Sequence, residues 1–507
     1  MPTDIYNMGL QFKQVASQSA GWLALSFEDG TSMNFAELDE ASDRAASHLL
    51  QSGAQAGSPI AIYAEKSPLT YVAMVAALKI GAPYVVLDTE SPYERVDKIL
   101  QRAEPLLILR DREFNWQQVP SLPLEILSEH AEPIDISIIE AVGAETPSYI
   151  MFTSGSTGFP KGVAISHASQ LNFCRWARET FTITSEDRLT GVNALYFDNS
   201  VFDFTASLFN GACLAPVTRE TVQNPKALAL AVSRCTIWFS VPSLLIYLTT
   251  LRALKPESWR VMRAIIFGGE GFPKAELKKL HTLYNAHTTL WNVYGPTEGT
   301  CICSAHAISE HDFDEMDKLA PLGHLAPDFK GAVMNKEGTQ EVEKGEVGEL
   351  FLMGSQVALG YYNDEELTAK AFAKNPLAQY ANEPCYRTGD LVYQDSDTGY
   401  YHFAGRKDNQ IKHMGYRIEL EEIEAALAGM DEVAQAAVIY RKKTHAGSII
   451  AFVAARNIAA DELKARLREL LPSYMIPENI HVRDSLPKNA NGKVDRKALA
   501  NEEKEHA

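Results

Sequence analysis

Cysteine is scarce in this chain. There are six in 507 residues, at Cys174, Cys213, Cys235, Cys301, Cys303 and Cys385, and none shows the paired spacing of a zinc site. That excludes a disulfide framework and fits a reducing compartment, so a cytoplasmic location is expected. Long apolar runs are missing as well. The longest, residues 71–87, is broken by Lys79, Gly81 and Pro83, so no membrane-crossing segment is expected. The first twelve residues, MPTDIYNMGLQF, lack the basic start and apolar run of a secretion signal. Positive charge is in deficit, with 47 Lys and Arg against 65 Asp and Glu and a net charge of −18, which argues against nucleic acid as a partner. Repeats and low-complexity tracts are also absent.

The length exceeds one ordinary core, so at least two domains are expected. Charge marks the division. Residues 1–405 carry a balance of −19, whereas residues 406–499 carry 16 basic against 13 acidic side chains. Helical periodicity at Phe35, Leu38, Ala41, Ala45 and Leu49 predicts a helix over 35–50. Short apolar runs predict strands at 60–63 and 84–87 around a helix at 71–80. Strands alternating with helices imply an α/β fold, a large domain of parallel or mixed sheets covered by helices. Beyond residue 406 the pattern predicts a helix over 417–429, strands at 433–440 and 448–455, and a helix at 460–471. That makes a compact α+β unit of about a hundred residues.

Residues 149–163 read YIMFTSGSTGFPKGV. Four β-formers lead into a loop of Thr153, Ser154, Gly155, Ser156, Thr157 and Gly158, closed by Pro160, Lys161 and Gly162. Ser166 then caps a helix to about residue 181. Glycines let backbone approach a bulky anion, amides and hydroxyls donate to its oxygens, and Lys161 adds charge. This is a phosphate-holding loop. It differs from the Walker pattern because Gly162 follows Lys161 where Ser or Thr would stand.

TSGSTGFPKG resembles the signature loop of the adenylate-forming superfamily: acyl-CoA synthetases, luciferases and the adenylation enzymes of nonribosomal peptide synthesis. Further motifs extend the likeness over residues 81–499 and narrow it to amino-acid adenylation enzymes, including stand-alone D-alanine–carrier protein ligases. The fold this implies is a large core, residues 1–405, and a small mobile C-terminal domain, residues 406–507, joined by a hinge. The activity it implies is ATP- and Mg²⁺-dependent formation of an aminoacyl-adenylate. Transfer to the phosphopantetheine thiol of a carrier protein would follow.

The resemblance assigns roles residue by residue. Asp198 would pair with the substrate ammonium, a contact that also aims its carboxylate. Asn199, Phe202, Ser240, Ile266, Gly268, Val293, Cys301 and Ile302 would line the side-chain pocket. None of these is charged, so a small or medium neutral amino acid is expected. Gly268 leaves room where D-alanine ligases typically carry Cys. In WNVYGPTE, Asn292 would bond the adenine edge, Tyr294 would stack on the ring, Thr297 would meet the α-phosphate and Glu298 would hold Mg²⁺. Asp390 would accept the ribose hydroxyls and Arg406 would contact the nucleotide. Asp408 would be the hinge pivot and Gly415 would line the thiol's path. Lys493, in the closing NGKVDRK, would be the catalytic cation.

No carrier attachment motif is seen, so a carrier in trans and a monomeric enzyme are expected. An acyl- or aryl-CoA synthetase is the alternative, and Asp198 argues against it, because such enzymes have no ammonium to hold. A decayed, inactive nucleotide-binding module ranks last, since Lys493, Glu298 and Asp390 are all present.

Overall fold

The computed structural model describes residues 4–114, 116–155, 158–377, 384–441, 447–488 and 494–505. The chain divides into two compact units. The first comprises Met1–Thr89, Ala103–Met151 and Gly162–Lys407, and the second Glu90–Arg102, Phe152–Lys161 and Asp408–Ala507.

Two large sheets build the first unit. A nine-stranded sheet starts at His324–Leu325 and continues through Ser304–Ala307, Thr289–Tyr294, Ala264–Gly268 and Ile237–Ser240. It goes on through Arg188–Gly191, Cys213–Pro216 and Leu23–Ser26 to Ser32–Asn34. Its centre is parallel and both margins are antiparallel. A seven-stranded sheet holds Pro147–Thr153 and Lys161–Ser166 on one side of Tyr84–Val86 and Ile60–Tyr63 on the other. A five-stranded antiparallel sheet includes Gly348–Gly354, Pro384–Gln394 and Tyr401–Arg406. The expected α/β architecture is therefore present.

The run AIIFG shows why the central strands read as unbroken apolar stretches. Ala264 and Ile266 enter one core with Phe202, Phe239 and Val293, whereas Ile265 and Phe267 enter another with Trp238, Trp259 and Tyr284. Both faces are buried, so no alternation survives. Helix ends follow local chemistry. Asn34 and Glu37 form a reciprocal capping box at the start of Phe35–Gln51. Ser67 caps Pro68–Lys79, one turn ahead of the start expected from apolar spacing, because Pro68 fits the first helical position. Ser166 caps His167–Phe181 as the sequence predicts.

The second unit carries a three-stranded sheet of Val433–Arg441, Ser448–Ala455 and Asn479–Arg483 against helices Leu420–Ala428 and Ala460–Leu470. The helix predicted from residue 417 begins three residues later. Tyr416–Glu419 instead pairs with Gln410–His413 in a hairpin. Met414 and Gly415 form its turn, both at positive φ (51° and 83°), as a two-residue turn matched to strand twist requires.

One side chain ties three elements of the first unit. Arg263 donates through Nε and Nη2 to the two oxygens of Asp187 (2.8 and 2.7 Å). It also bonds the carbonyls of Phe181 and Thr182, where helix His167–Phe181 ends. Burial pushes the Asp187 carboxyl up, but the Arg263 fork and the Thr184 and Thr236 donors outweigh it and hold it below its usual 3.8. That stabilisation is complete above the unfolded value and is lost as pH falls through the lower folded one. Arg263→Lys should cost about 1–3 kcal/mol in urea unfolding at pH 7. The deficit should shrink as the pH is taken below 4.

Candidate active site

In the first unit, Asp198 immediately precedes helix Asn199–Leu208. Its backbone is helical (φ −62°, ψ −24°), and its side chain makes no capping bond with the helix amides. The half-buried carboxylate instead accepts the Thr297 hydroxyl at 2.5 Å. Two residues given separate tasks by sequence are thus joined, and the helix N-terminus favours the negative charge.

The helix is fixed from below by a buried cluster. Asn193 Nδ2 donates to both oxygens of Asp203 (3.1 and 3.0 Å) and to the Phe239 carbonyl (3.0 Å). Lys66 spans the carbonyls of Gly191 and Val217 (2.6 and 3.0 Å). Burial drives the Asp203 carboxyl up and the Lys66 ammonium down, and each charge opposes the other's shift. Sequence reading passed over Lys66, Asn193 and Asp203. An acidic residue between Phe202 and Phe204, where the helix is otherwise core, was the available signal.

One turn along the helix from Asp198, Phe202 packs on Phe239 (ring centroids 4.9 Å) and belongs to the same core as Ile266, Val293, Cys301 and Ile302. The Asn199 amide nitrogen is buried without a hydrogen-bond partner, a donor left for a ligand or water. The Ser240 hydroxyl accepts from the Trp238 indole at 2.8 Å and donates to the Val241 carbonyl at 3.0 Å. One expectation changes. Gly268 does not leave room. A Cβ there would lie 2.5 Å from the Val293 carbonyl oxygen and 2.6 Å from its Cγ2, so Val293 already fills the space.

The turn after YGPTE is strained. Thr300 and Cys301 both take positive φ (56° and 71°), uncommon for residues with a Cβ. The Thr300 hydroxyl donates to the Gln356 carbonyl at 2.6 Å, and Gly295 makes space, since a Cβ there would sit 2.3 Å from the Cys301 carbonyl. Burial, and then the charge of Asp198, push the Cys301 thiol well above its usual range, so it is a wall and not a nucleophile.

The candidate nucleotide residues already have protein partners. Tyr294 donates to one oxygen of Asp390 (2.6 Å) and Arg406 donates to the other (2.6 Å). Burial and the Asp390 charge hold the Tyr294 phenol protonated, its pKa well above the usual range. Each carboxylate oxygen retains a second acceptor site. Asn292 gives one amide hydrogen to the Pro321 carbonyl (2.7 Å). Glu298 is fully buried and accepts the Tyr361 hydroxyl (2.7 Å). Among the described residues no group of three His, Cys, Asp or Glu could hold a metal ion. A single carboxylate does suit Mg²⁺ that arrives on nucleotide phosphates.

In the second unit, Gly155 admits no side chain, because a Cβ would lie 1.9 Å from the Phe159 carbonyl, and Gly158 takes φ +81°. The Thr153 hydroxyl is buried without a partner. Ser154 donates to the Arg417 carbonyl (2.8 Å) and accepts from the Glu419 amide (3.1 Å). The Gly155 amide donates to Glu422 and Lys161 donates to Glu419, both at 3.1 Å. Lys98, a second cation, donates to the Gly158 carbonyl at 3.0 Å. Lys98, Arg95, Glu419 and Glu422 were not foreseen, because they lie far from the loop in sequence. Asp408 is exposed and accepts from the Gln410 amide, and Gly415 is buried in its hairpin turn. Ser156, Thr157 and Lys493 lie outside the described residues.

A family model described as AMP-binding enzyme matches residues 12–362, and one described as AMP-binding enzyme C-terminal domain matches residues 422–493. Surfactin synthase subunit 2 of Bacillus subtilis is 36% identical over 96% of the chain, which spans only 13% of that protein. The D-alanine–D-alanyl carrier protein ligase of Lacticaseibacillus rhamnosus is 32% identical, with 98% of this chain and 99% of the ligase covered. An artificially fused adenylation–PCP di-domain from Klebsiella oxytoca superposes with a TM-score of 0.84 at 24% identity, over 95% and 94% of the two chains. That last likeness concerns the fold.

Gly268→Ala should lower stability by about 1–3 kcal/mol by forcing apart two paired strands. Gly21→Ala, where nothing lies within 4 Å, should stay within about 0.5 kcal/mol in the same unfolding titration.

Proposed function

We propose, for a chain that belongs to the AMP-binding enzyme family, that it activates a small or medium neutral amino acid with ATP and passes it to a carrier protein. The observation carrying this reading is Asp198: a carboxylate that makes no capping bond to its helix, accepts the Thr297 hydroxyl and is followed on that helix by Phe202 in the apolar core. An ammonium is the partner such a group asks for. Acyl- and aryl-CoA synthesis, the alternative, gives it no task.

In the first step a carboxylate oxygen of the amino acid bonds to the α-phosphorus. The bond to the bridging oxygen breaks and pyrophosphate leaves with its electron pair. Thr153, Ser154, Gly155 and Lys161 hold phosphates, Asp390 the ribose, and Asn292 and Tyr294 the adenine, while Asp198 and Asn199 orient the amino acid. Glu298 would hold Mg²⁺ brought by ATP, and the ion would supply neutralisation of phosphate charge. In the second step a phosphopantetheine thiol attacks the carbonyl carbon. A C–S bond forms, AMP departs and the thiol proton is lost. The carrier is a separate chain, the enzyme acts as a monomer, and the location is cytoplasmic. No helix among the described residues is long and apolar enough to cross a membrane.

ATP–pyrophosphate exchange with a panel of L- and D-amino acids tests this. Neutral substrates should outpace Asp, Glu, Lys and Arg. Asp198→Ala should cost about 2–4 kcal/mol in amino-acid-dependent kcat/KM with little change in ATP binding. Unchanged amino-acid use would return the reading to a carboxylic acid without an amine.

Asp408 is proposed as the pivot that lets one small domain serve both steps, with Lys493 as the cation of the first. Lys493→Ala should slow adenylation by at least ~10²-fold yet still pass a pre-made adenylate to the carrier. Asp408→Pro, which fixes φ, should retain exchange and lose carrier loading. Circular dichroism must show both variants folded. Equal loss of both steps in each would remove the pivot.

A further inference from the structure

The phosphate loop of the second unit is already occupied, and its occupants are acidic. Gly155 has one amide hydrogen, and Glu422 takes it at 3.1 Å. Lys161, largely buried, is paired with Glu419 at 3.1 Å. The Ser154 hydroxyl is used twice, as donor to Arg417 and acceptor from Glu419. All three partners come from the short stretch 417–422. The two carboxylates are themselves held: Glu422 by an ion pair with buried Arg95, and Glu419 by the side-chain amide of Gln410. They are fixed anions, placed where a loop of this composition would put phosphate oxygens.

We propose that Glu419 and Glu422 stand in for pyrophosphate on this loop, so that their engagement competes with the product and drives it from the enzyme. The inference rests on the adenylation reading above. Exclusivity follows from two physical facts. A single N–H donor cannot serve Glu422 and a phosphate at full strength together. A pyrophosphate beside two buried carboxylates would also meet like charge at short range, where the low dielectric magnifies repulsion. When pyrophosphate is bound, residues 417–422 are off the loop; when they return, Glu422 takes the Gly155 amide and Glu419 pairs Lys161, so pyrophosphate loses both contacts. Reversal of adenylation, which needs pyrophosphate on the loop, is thereby suppressed. Glu419 and Glu422 are positioning residues in this scheme, since they touch the loop and not the reacting atoms.

The test is pyrophosphate affinity, measured by calorimetry on the full-length enzyme with Glu419→Gln, Glu422→Gln and the double variant. Each single change removes one competing charge and should tighten pyrophosphate binding on the order of tenfold, the double more. Product inhibition by pyrophosphate in carrier loading should strengthen in step, and KM for the amino acid should not move. A merely structural tether predicts lower melting temperature with unchanged or weaker pyrophosphate binding, and that result overturns the proposal. Glu422→Gln leaves buried Arg95 without its counter-charge, so Arg95→Met with Glu422→Gln is made as well. Glu419→Gln alone suffices if neither folds. Wild-type exchange is run in parallel. If no amino acid supports it, the functional reading fails; if exchange proceeds while pyrophosphate affinity is unmoved in the variants, only this inference fails.

Discussion

Buried hydrogen-bond donors cannot stand bare inside a protein, and much of this structure answers that constraint. An unpaired buried N–H or ammonium costs free energy comparable to the contact it is meant to make. Both units therefore supply internal acceptors. Glu422 and Glu419 satisfy Gly155 and Lys161. Asp390 satisfies Arg406 and Tyr294, and Asp198 satisfies Thr297. The Thr153 hydroxyl and the Asn199 amide nitrogen are among the buried groups left without a partner.

The same constraint explains why the supporting cluster lies deep. Asp198 keeps its orientation because the helix behind it is pinned through Asp203, Asn193 and Lys66 to the ends of three strands. If Asp198 holds a substrate amine as proposed, this rigid base would fix the direction of that contact. Buried ionic groups held by several hydrogen bonds provide direction that apolar packing alone does not.

Fold and site were unequally legible in the sequence. The parallel core was readable because doubly buried strands such as AIIFG leave continuous apolar runs, and because Asn34, Ser67 and Ser166 mark helix starts chemically. The Leu420–Ala428 helix was read three residues long, since in a hairpin strand Tyr416 and Ile418 bury on alternate positions that also fit a helical face. The Gly/Ser/Thr loop and the YGPTE run stand out in the sequence by composition. Phe239, which packs on Phe202, went unnoticed because motif spacing does not show which side chain of a strand meets a given ring. Gly268 was read as vacancy, although glycine equally signals another chain pressing in, here the Val293 carbonyl. Glu419, Glu422 and Arg95 act across sequence distances that no local pattern encodes.

The paired left-handed backbone of Thr300 and Cys301 limits how this turn can change over time. β-branched residues tolerate positive φ poorly, and Thr300 takes it with its hydroxyl tied to the Gln356 carbonyl. Val or Ile at position 301 would have no such tie and is disfavoured by the backbone alone. The helical positions 199 and 202 carry no such restriction, so the helix is open to drift while the turn behaves as an inherited boundary.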